Sequence, residues 1–361
     1  MLDLTGSPSD LGYVFAAKTV PLVAFLLVGG VFADRLPRRA VMLAADVARM
    51  GSQGAVAVLI LTHTAHVWEL VILQAIAGTA SAFFKPASTG LTPMTVSPER
   101  LQQANALRGL SMASTGIVGT AIGGVMVTLV GSGWALAADA ASYGVSAYFL
   151  AQLRLPPHIT LPPQSFLSDL REGWREFSSR TWVWVIVLSA SIGNMMNSVF
   201  AVLGVVIAKR SLGGPLAWTV ILAALGVGSF VGGIVSLRIH TRRPLYFGSS
   251  LLFFLALPTA LLALRAPALV IAAGALFAGV GNMIFNALWE TALQRHVPAS
   301  SLSRVSAYDW FGSMAFAPVG LAVAGPVAAA IGTSTTLWIA TAGSLAVAAL
   351  AVATPSVRRL E

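Results

Sequence analysis

Charge is what this sequence has least of. Only 10% of its 361 residues are Asp, Glu, Lys or Arg, where a soluble domain carries roughly 25%. A water-facing surface cannot be assembled from so few. Cysteine is absent altogether, which excludes a disulfide framework, a thiolate metal site and a cysteine nucleophile. The opening MLDLTGSPSD has neither the basic nor the apolar stretch of a secretory signal peptide. No G-x-x-x-x-G-K-S/T run is present to cradle the phosphates of ATP. No D-D-x-x-D-type cluster is present either, which speaks against a membrane-embedded prenyl or acyl transferase. His63, His66, His158, His240 and His296 fall in loops, and the pair His63 and His66 lacks a third ligand. Neither an enzyme nor a cofactor- or metal-dependent protein is expected.

Apolar residues are what remains, at 57% of the chain with a mean hydropathy of +0.82. A ~19-residue window finds eleven apolar stretches, near 11–33, 40–61, 68–84, 109–130, 134–153, 182–207, 216–236, 245–264, 268–289, 309–330 and 333–353. They are apolar on all faces and do not alternate, so they read as helices and not as strands of a barrel. The expectation is an all-α polytopic membrane protein.

Charge placement sets orientation. The net charge is +9, from 22 Lys and Arg against 13 Asp and Glu. With the N-terminus outside, Lys209, Arg210 and Arg265 fall in outer loops, Lys18 and Arg49 fall within spans, and the other seventeen basic residues, Lys85 among them, fall in inner loops. That bias follows the positive-inside rule. It predicts a multi-pass protein of the plasma (cytoplasmic) membrane with a cytoplasmic C-terminus. It also accounts for the basic balance without nucleic acid.

The longest polar segment, 154–181, carries the stiff pairs Pro156-Pro157 and Pro162-Pro163 and then SFLSDLREGWREF. Phe166, Leu170, Trp174 and Phe177 recur every three or four residues, the pattern of an amphipathic helix at the inner membrane interface. The segment divides the chain into an N-terminal membrane half (1–153), this cytoplasmic linker (154–181) and a C-terminal membrane half (182–361). The halves resemble each other. GGVFADRLPRR at Gly29 matches GGIVSLRIHTRR at Gly232, an offset of 203, and VSPERLQQANA at Val96 matches VPASSLSRVSA at Val297, an offset of 201. Gly119 and Gly124 face Gly320 and Gly325 at the same spacing. Duplicated halves of a membrane protein point to a transporter with its substrate path between them. The span at 182–207 has no counterpart in the first half. The chain therefore reads as two pseudo-repeated six-helix halves lacking the first helix of twelve.

These residues resemble a known family. Gly30-Val-Phe-Ala-Asp34-Arg35-Leu-Pro-Arg38-Arg39 is similar to the G-x-x-x-D-R-x-x-R-R signature of the major facilitator superfamily, between its second and third helices. GTAIGGV, spanning Gly119, Gly123 and Gly124, resembles the antiporter motif of the fifth helix, with Thr120 where the family usually has proline. NALWETALQRHVPASSLSRV, from Asn286, resembles the tenth-to-eleventh loop of the drug and siderophore exporter branch typified by enterobactin and macrolide exporters. Ser303 stands where that branch often has glycine. The resemblance implies a secondary active transporter that exports an amphipathic small molecule in exchange for protons, by alternating access. Its partners would be that substrate, protons and the bilayer, with no ATP and no second subunit. Uptake by the same fold and a truncated, non-transporting remnant are the alternatives.

Individual residues have competing readings. Asp34, Arg35, Arg38 and Arg39 are either a topology-setting basic turn or a conformational gate. By resemblance, Asp34 should meet a helix start near 305–309, with Arg304, Ser306 and Asp309 close to the contact. Leu237 replaces the aspartate in the second half, so such a lock is asymmetric. Asp46 and Arg49 lie about 9 and 13 Å into their helix and can pair. A charge at that depth costs at least ~2.5 kcal/mol unless it faces protein, so the pair either supports the gate or contacts substrate. Asp139 is a candidate for proton coupling, or a packing acid satisfied by Ser142 and Tyr143. Gln74, Asn194, Asn197, Asn282 and Asn286 either line the path or act as interhelical glue. Glu290 reads as loop packing.

Overall fold

The computed structural model describes residues 8–155, 165–212 and 214–360. The proline pairs of the linker and His158 lie outside them. Among the described residues all regular structure is helical. The long helices are α1 (Pro8–Arg35), α2 (Arg38–Leu61), α3 (Val67–Leu91), α4 (Leu101–Val130), α5 (Ser132–Gln152), α6 (Phe166–Ser179), α7 (Thr181–Ser211) and α8 (Pro215–Ser236). They continue with α9 (Pro244–Leu251), α10 (Ala256–Ala263), α11 (Ala268–His296), α12 (Leu302–Met314), α13 (Ala317–Ile331) and α14 (Thr333–Ala353), before the short α15 (Pro355–Arg358).

Among the described residues, nine helical stretches are long and apolar enough to cross a membrane. They comprise α1 from Ala16, α2, α3 with its extension to Met94, α7, α8 from Leu216, α9 with α10, α11, α12 with α13, and α14. Helices α4 and α5, of 30 and 21 residues, are not among the nine. Two of the nine are interrupted, and proline explains both. Pro258 and Pro318 have no N–H to give the carbonyls of Phe254 and Met314. The first site relaxes into the tighter turns of Leu252–Leu255, and the second breaks between α12 and α13.

The duplication is visible in the backbone. The turn after α2 places His63 at φ 56°, and the turn after α10 places Arg265 at φ 55°. Gly131 (φ 92°) precedes α5 and Gly332 (φ 89°) precedes α14. These pairs are 202 and 201 residues apart, the spacing of the sequence repeats. A backbone in this region favours glycine, because a Cβ there is strained.

The chain folds as two compact units. One comprises Met1–Ser97, Gly119–Glu176 and Val297–Phe311; the other comprises Pro98–Val118, Phe177–His296 and Gly312–Glu361. Each holds most of one sequence half and the start of one helix from the other half: α12 in the first unit, α4 in the second. In the first unit α1 packs along α3 and α2 along α5, over a small core of Ala33, Met42, Ala87, Leu91 and Leu150. In the second, α8 packs along α11 and α7 against α13 and α14, around Phe200, Leu203, Ile221, Leu262, Ile271 and Leu337. Large apolar side chains also point outward, with Leu129 78% and Leu269 76% exposed. In water such a surface would be an aggregation liability; against lipid tails it is the solvated face.

A turn that needs positive φ gives a direct check. We expect Gly332→Val to destabilise the protein by about 1–3 kcal/mol, seen as a lower thermal midpoint in detergent. Gly325→Ala, whose added Cβ meets nothing within 4 Å, should leave the midpoint unchanged. Equal midpoints for wild type and Gly332→Val would contradict the turn geometry.

Candidate functional site: charged side chains at the start of α12

The last turn of α1 carries Asp34 and Arg35, and Pro37 starts α2 one residue before Arg38. This tight turn brings the Arg38 guanidinium onto the Asp34 carboxylate at 3.1 Å. The other side of Asp34 meets the beginning of α12. Its Oδ1 accepts the backbone N–H of Ser303 at 3.2 Å, and its Oδ2 accepts that of Arg304 at 3.1 Å. The first N–H groups of a helix have no partner within it, and the helix dipole makes that end attractive to an anion. Arg304 adds its side chain, Nε to Oδ2 at 3.2 Å. Asp34 is 5% exposed and the Arg304 side chain equally so.

Two further groups surround this core. Arg38 donates to the carbonyl of Gly90, in the last turn of α3, at 2.6 Å, and to that of Ala299, ahead of α12, at 2.5 Å. It therefore joins α1, α3 and the approach to α12. From α6, Asp169 accepts Arg35 Nε and Arg304 Nη1, the latter at 3.3 Å, and Glu172 accepts Arg304 Nη1 at 2.9 Å. Tyr308 of α12 donates its hydroxyl to the Leu170 carbonyl at 3.0 Å, and the Trp174 ring lies 5.6 Å from the Tyr308 ring. Helix α1 can approach α12 this closely because Gly30 faces it. A Cβ at Gly30 would sit 2.5 Å from that of Ala307.

Several expectations are corrected here. Asp34 meets α12 at Ser303 and Arg304, earlier than 305–309, because its ligands are the free N–H groups of the helix start. The amphipathic helix expected in the linker forms as α6. Its buried face runs through Asp169, Gly173 and Phe177, while Trp174 stays 54% and Leu167 74% exposed. Lys85 and Glu290 lie within α3 and α11 and not in loops. Asp139 is exposed, and Ser142 gives its hydroxyl hydrogen bond to the Asp139 backbone carbonyl instead of the carboxylate.

The remaining predicted residues are scattered. Arg39 donates to the carbonyls of Leu153, at 2.8 Å, and Ala151, tying α2 to the end of α5. Asp46 pairs with Arg49 and accepts the Ser146 hydroxyl at 2.7 Å; Arg49 lies over the rings of Phe84 at 4.1 Å and Tyr143 at 4.7 Å. Gln74 donates to Gln53 at 3.3 Å. Asn194 donates to the Ser313 carbonyl at 2.9 Å, at the break after α12, and Asn286 pairs with Asn282 at 3.2 Å. Asn197 is exposed. Of the motif glycines, Gly123, Gly124 and Gly325 face open space, Gly119 is exposed, and Gly320 lies against the backbone of Met195. An apolar groove of about 560 Å³ lies between α1, α2 and α3, lined by residues such as Phe32, Ala44, Ile72 and Phe83. It offers nearly no polar group for discrimination.

The second unit repeats the arrangement without the acid. There the side chain at the helix start, Gln102 of α4, donates to the carbonyls of Ser236 and Ile239 at the end of α8, at 3.1 and 2.5 Å. Asn105 binds Thr291 at 3.0 Å and Gln294 at 2.7 Å, and Arg108 stands 3.8 Å from Glu290. Sequence reasoning missed these amides and the acids of α6. The acids had a signal: Asp169 and Glu172 are carboxylates in a segment otherwise rich in arginine.

With this geometry in place, the comparisons with known proteins decide the family. The profile of the transmembrane secretion effectors, a family of the major facilitator superfamily, matches residues 1–361. The chain belongs to that family. It is 28% identical to the multidrug efflux pump Tap of Mycolicibacterium fortuitum, over all of this chain and 91% of the pump. Identity to Tap of Mycobacterium tuberculosis is 26%, over all of this chain and 88% of that pump. Its fold is similar to that of a bacterial homologue of the iron transporter ferroportin, with a TM-score of 0.77 and 16% identity, covering 98% of this chain and 92% of that one. A family member of this kind is a multi-pass membrane transporter and not an enzyme.

The charged cluster makes a stability prediction. Removing one member of a buried ion pair leaves its partner uncompensated, at about 3–5 kcal/mol. Arg304→Met should therefore lower the thermal midpoint of the purified transporter strongly. Arg171→Met, at an exposed position of α6, should leave it within about 0.5 kcal/mol of wild type. Similar midpoints for the two variants would contradict a buried, interdependent cluster.

Proposed function

We propose that this transporter exports an amphipathic small molecule from the cytoplasm in exchange for protons, by alternating access. In this reading α4 and α5 also cross the bilayer of the plasma membrane, making eleven spans, and the arginine-rich loops and the C-terminus face the cytoplasm. The protein works as a monomer without ATP or cofactor. A proton gradient of ~100 mV supplies ~2.3 kcal/mol per charge, and Asp139 is the candidate carrier. Export is supported by the named activity of the Tap relatives.

The observation that carries the mechanism is the seat of Asp34 on the first N–H groups of α12. It joins the end of α1 to a helix from the other half of the chain, so rocking the halves must break it. The charge makes the contact strong, since hydrogen bonds to ionised groups are about twice as strong as neutral ones. Arg35, Arg38 and Arg39 keep the turn of α1 and α2 in register, and Asp46 with Arg49 braces α2 against α5 and α3.

The test is drug and dye efflux from cells that lack their own pumps. Asp34→Asn keeps the shape and an acceptor oxygen but removes the charge. Efflux of any compound the wild type clears should fall at least fivefold at unchanged membrane levels. Asp139→Asn should lower the dependence of efflux on the proton gradient. Wild-type efflux by Asp34→Asn at normal expression would refute the gate.

A further inference from the structure

Among the described residues, five arginines of the first unit are buried or half-buried, and each has oxygen acceptors. Arg35 pairs with Asp169, Arg38 with Asp34, Arg49 with Asp46, and Arg304 with Asp34, Asp169 and Glu172, while Arg39 donates to the carbonyls of Leu153 and Ala151. Lys85 differs from all five. It lies within α3 and is half-buried, and among the described residues no carboxylate pairs with it. Its contact is the ring of Trp310, with Nζ 4.3 Å from the ring centroid.

Trp310 is unsatisfied as well. Its indole Nε1 is buried and meets no acceptor among the described residues. The buried hydroxyl of Ser306, one turn earlier on the same face of α12, also has no partner. An ammonium offers three donors and no acceptor, and an indole one donor and no acceptor. Two donor-only groups belong to side chains in direct contact, and among the described residues neither has a protein acceptor. A buried cation is ordinarily paired, and a lone charge in a membrane-spanning helix marks a functional position by default.

The place is also specific. Lys85 is five residues before Gly90, whose carbonyl accepts Arg38, and Trp310 is six residues after Arg304. At 1.5 Å per residue, both lie about 8–9 Å along their helices from the Asp34 cluster. The cluster is satisfied by its own charges and does not use either residue.

We propose that Lys85 and Trp310 form a recognition point for an anionic oxygen group, such as a carboxylate, carried by the aromatic or apolar molecule the transporter moves. The ammonium supplies the countercharge and Nε1 a directed hydrogen bond. The bound anion links α3 to α12 beside the place where Asp34 holds that helix. This inference rests on the export reading and names the chemistry of its cargo.

The test is equilibrium binding, which does not require turnover. Purified transporter in phosphatidylcholine nanodiscs is titrated with dansylglycine and with its uncharged methyl ester, read by fluorescence anisotropy. Wild type should bind the acid at least tenfold more tightly than the ester. Lys85→Met should abolish that preference, Lys85→Arg should keep it within threefold, and Trp310→Phe, which keeps a ring but no donor, should weaken the acid alone. Wild type that fails to favour the acid, or Lys85→Met that still does, overturns the proposal. A lipid headgroup is the other source of the same chemistry. Phosphatidylglycerol in the discs that displaces dansylglycine from wild type and Lys85→Arg alike would make lipid the occupant and overturn the cargo assignment. An acid preference without efflux in cells would fail the export reading alone, leaving the site intact.

Discussion

A carboxylate set on the free N–H groups of a helix start is the interaction on which the rest of this structure depends. Asp34 takes two backbone donors of α12 and two guanidinium donors, from Arg38 and Arg304. None of these groups could be buried alone. An isolated carboxylate would be expelled from a low-dielectric site, and so would either arginine. Together with Asp169, Glu172 and Arg35 they form three acids and three bases, with Arg304 touching all three acids. Arginine suits this task and lysine does not, because one planar fork addresses several acceptors at fixed angles. The acids of α6 are needed because Arg304 has more donors than Asp34 has room for.

The duplicated fold makes the asymmetry of this device plain. In both units a helix start from one half of the chain meets a helix end from the other. In the first unit the helix end supplies an acid to the N–H groups; in the second the helix start supplies Gln102 to the carbonyls. Hydrogen bonds involving a charged group contribute about 1.5–3 kcal/mol and neutral ones about 0.5–1.5 kcal/mol. The two units thus have contacts of similar geometry but different strength. The charged contact is the harder of the two to break.

Much of this was legible in the sequence. Low charge and high hydropathy gave the membrane class, and three offset matches gave the repeat, which the paired turns at His63 and Arg265 repeat in backbone form. The G-x-x-x-D-R-x-x-R-R pattern located Asp34. What was not legible depended on which face a helix turns inward. A 14-residue amphipathic helix offers an apolar stripe through Phe166, Leu170, Trp174 and Phe177 and an overlapping one through Asp169, Gly173 and Phe177. Hydropathy favours the first, but two arginines waiting on α1 and α12 select the second. Lys85 was placed in a loop because a hydropathy window ends at the first charge, whereas α3 continues to Leu91. No pattern announces that its neighbour on α12 is an indole, because that contact joins residues 225 positions apart.

The absence of cysteine makes the Asp34 contact directly measurable. Leu36→Cys and Ser300→Cys place spin labels at two exposed positions, one beside Asp34 and one just before α12, without touching the charged cluster's side chains. Double electron–electron resonance then reads the distance between them. The account predicts a dominant short distance with Asp34 intact and a growing long-distance population in the Asp34→Asn background. Identical distance distributions in the two backgrounds would contradict the claim that this one carboxylate holds α12.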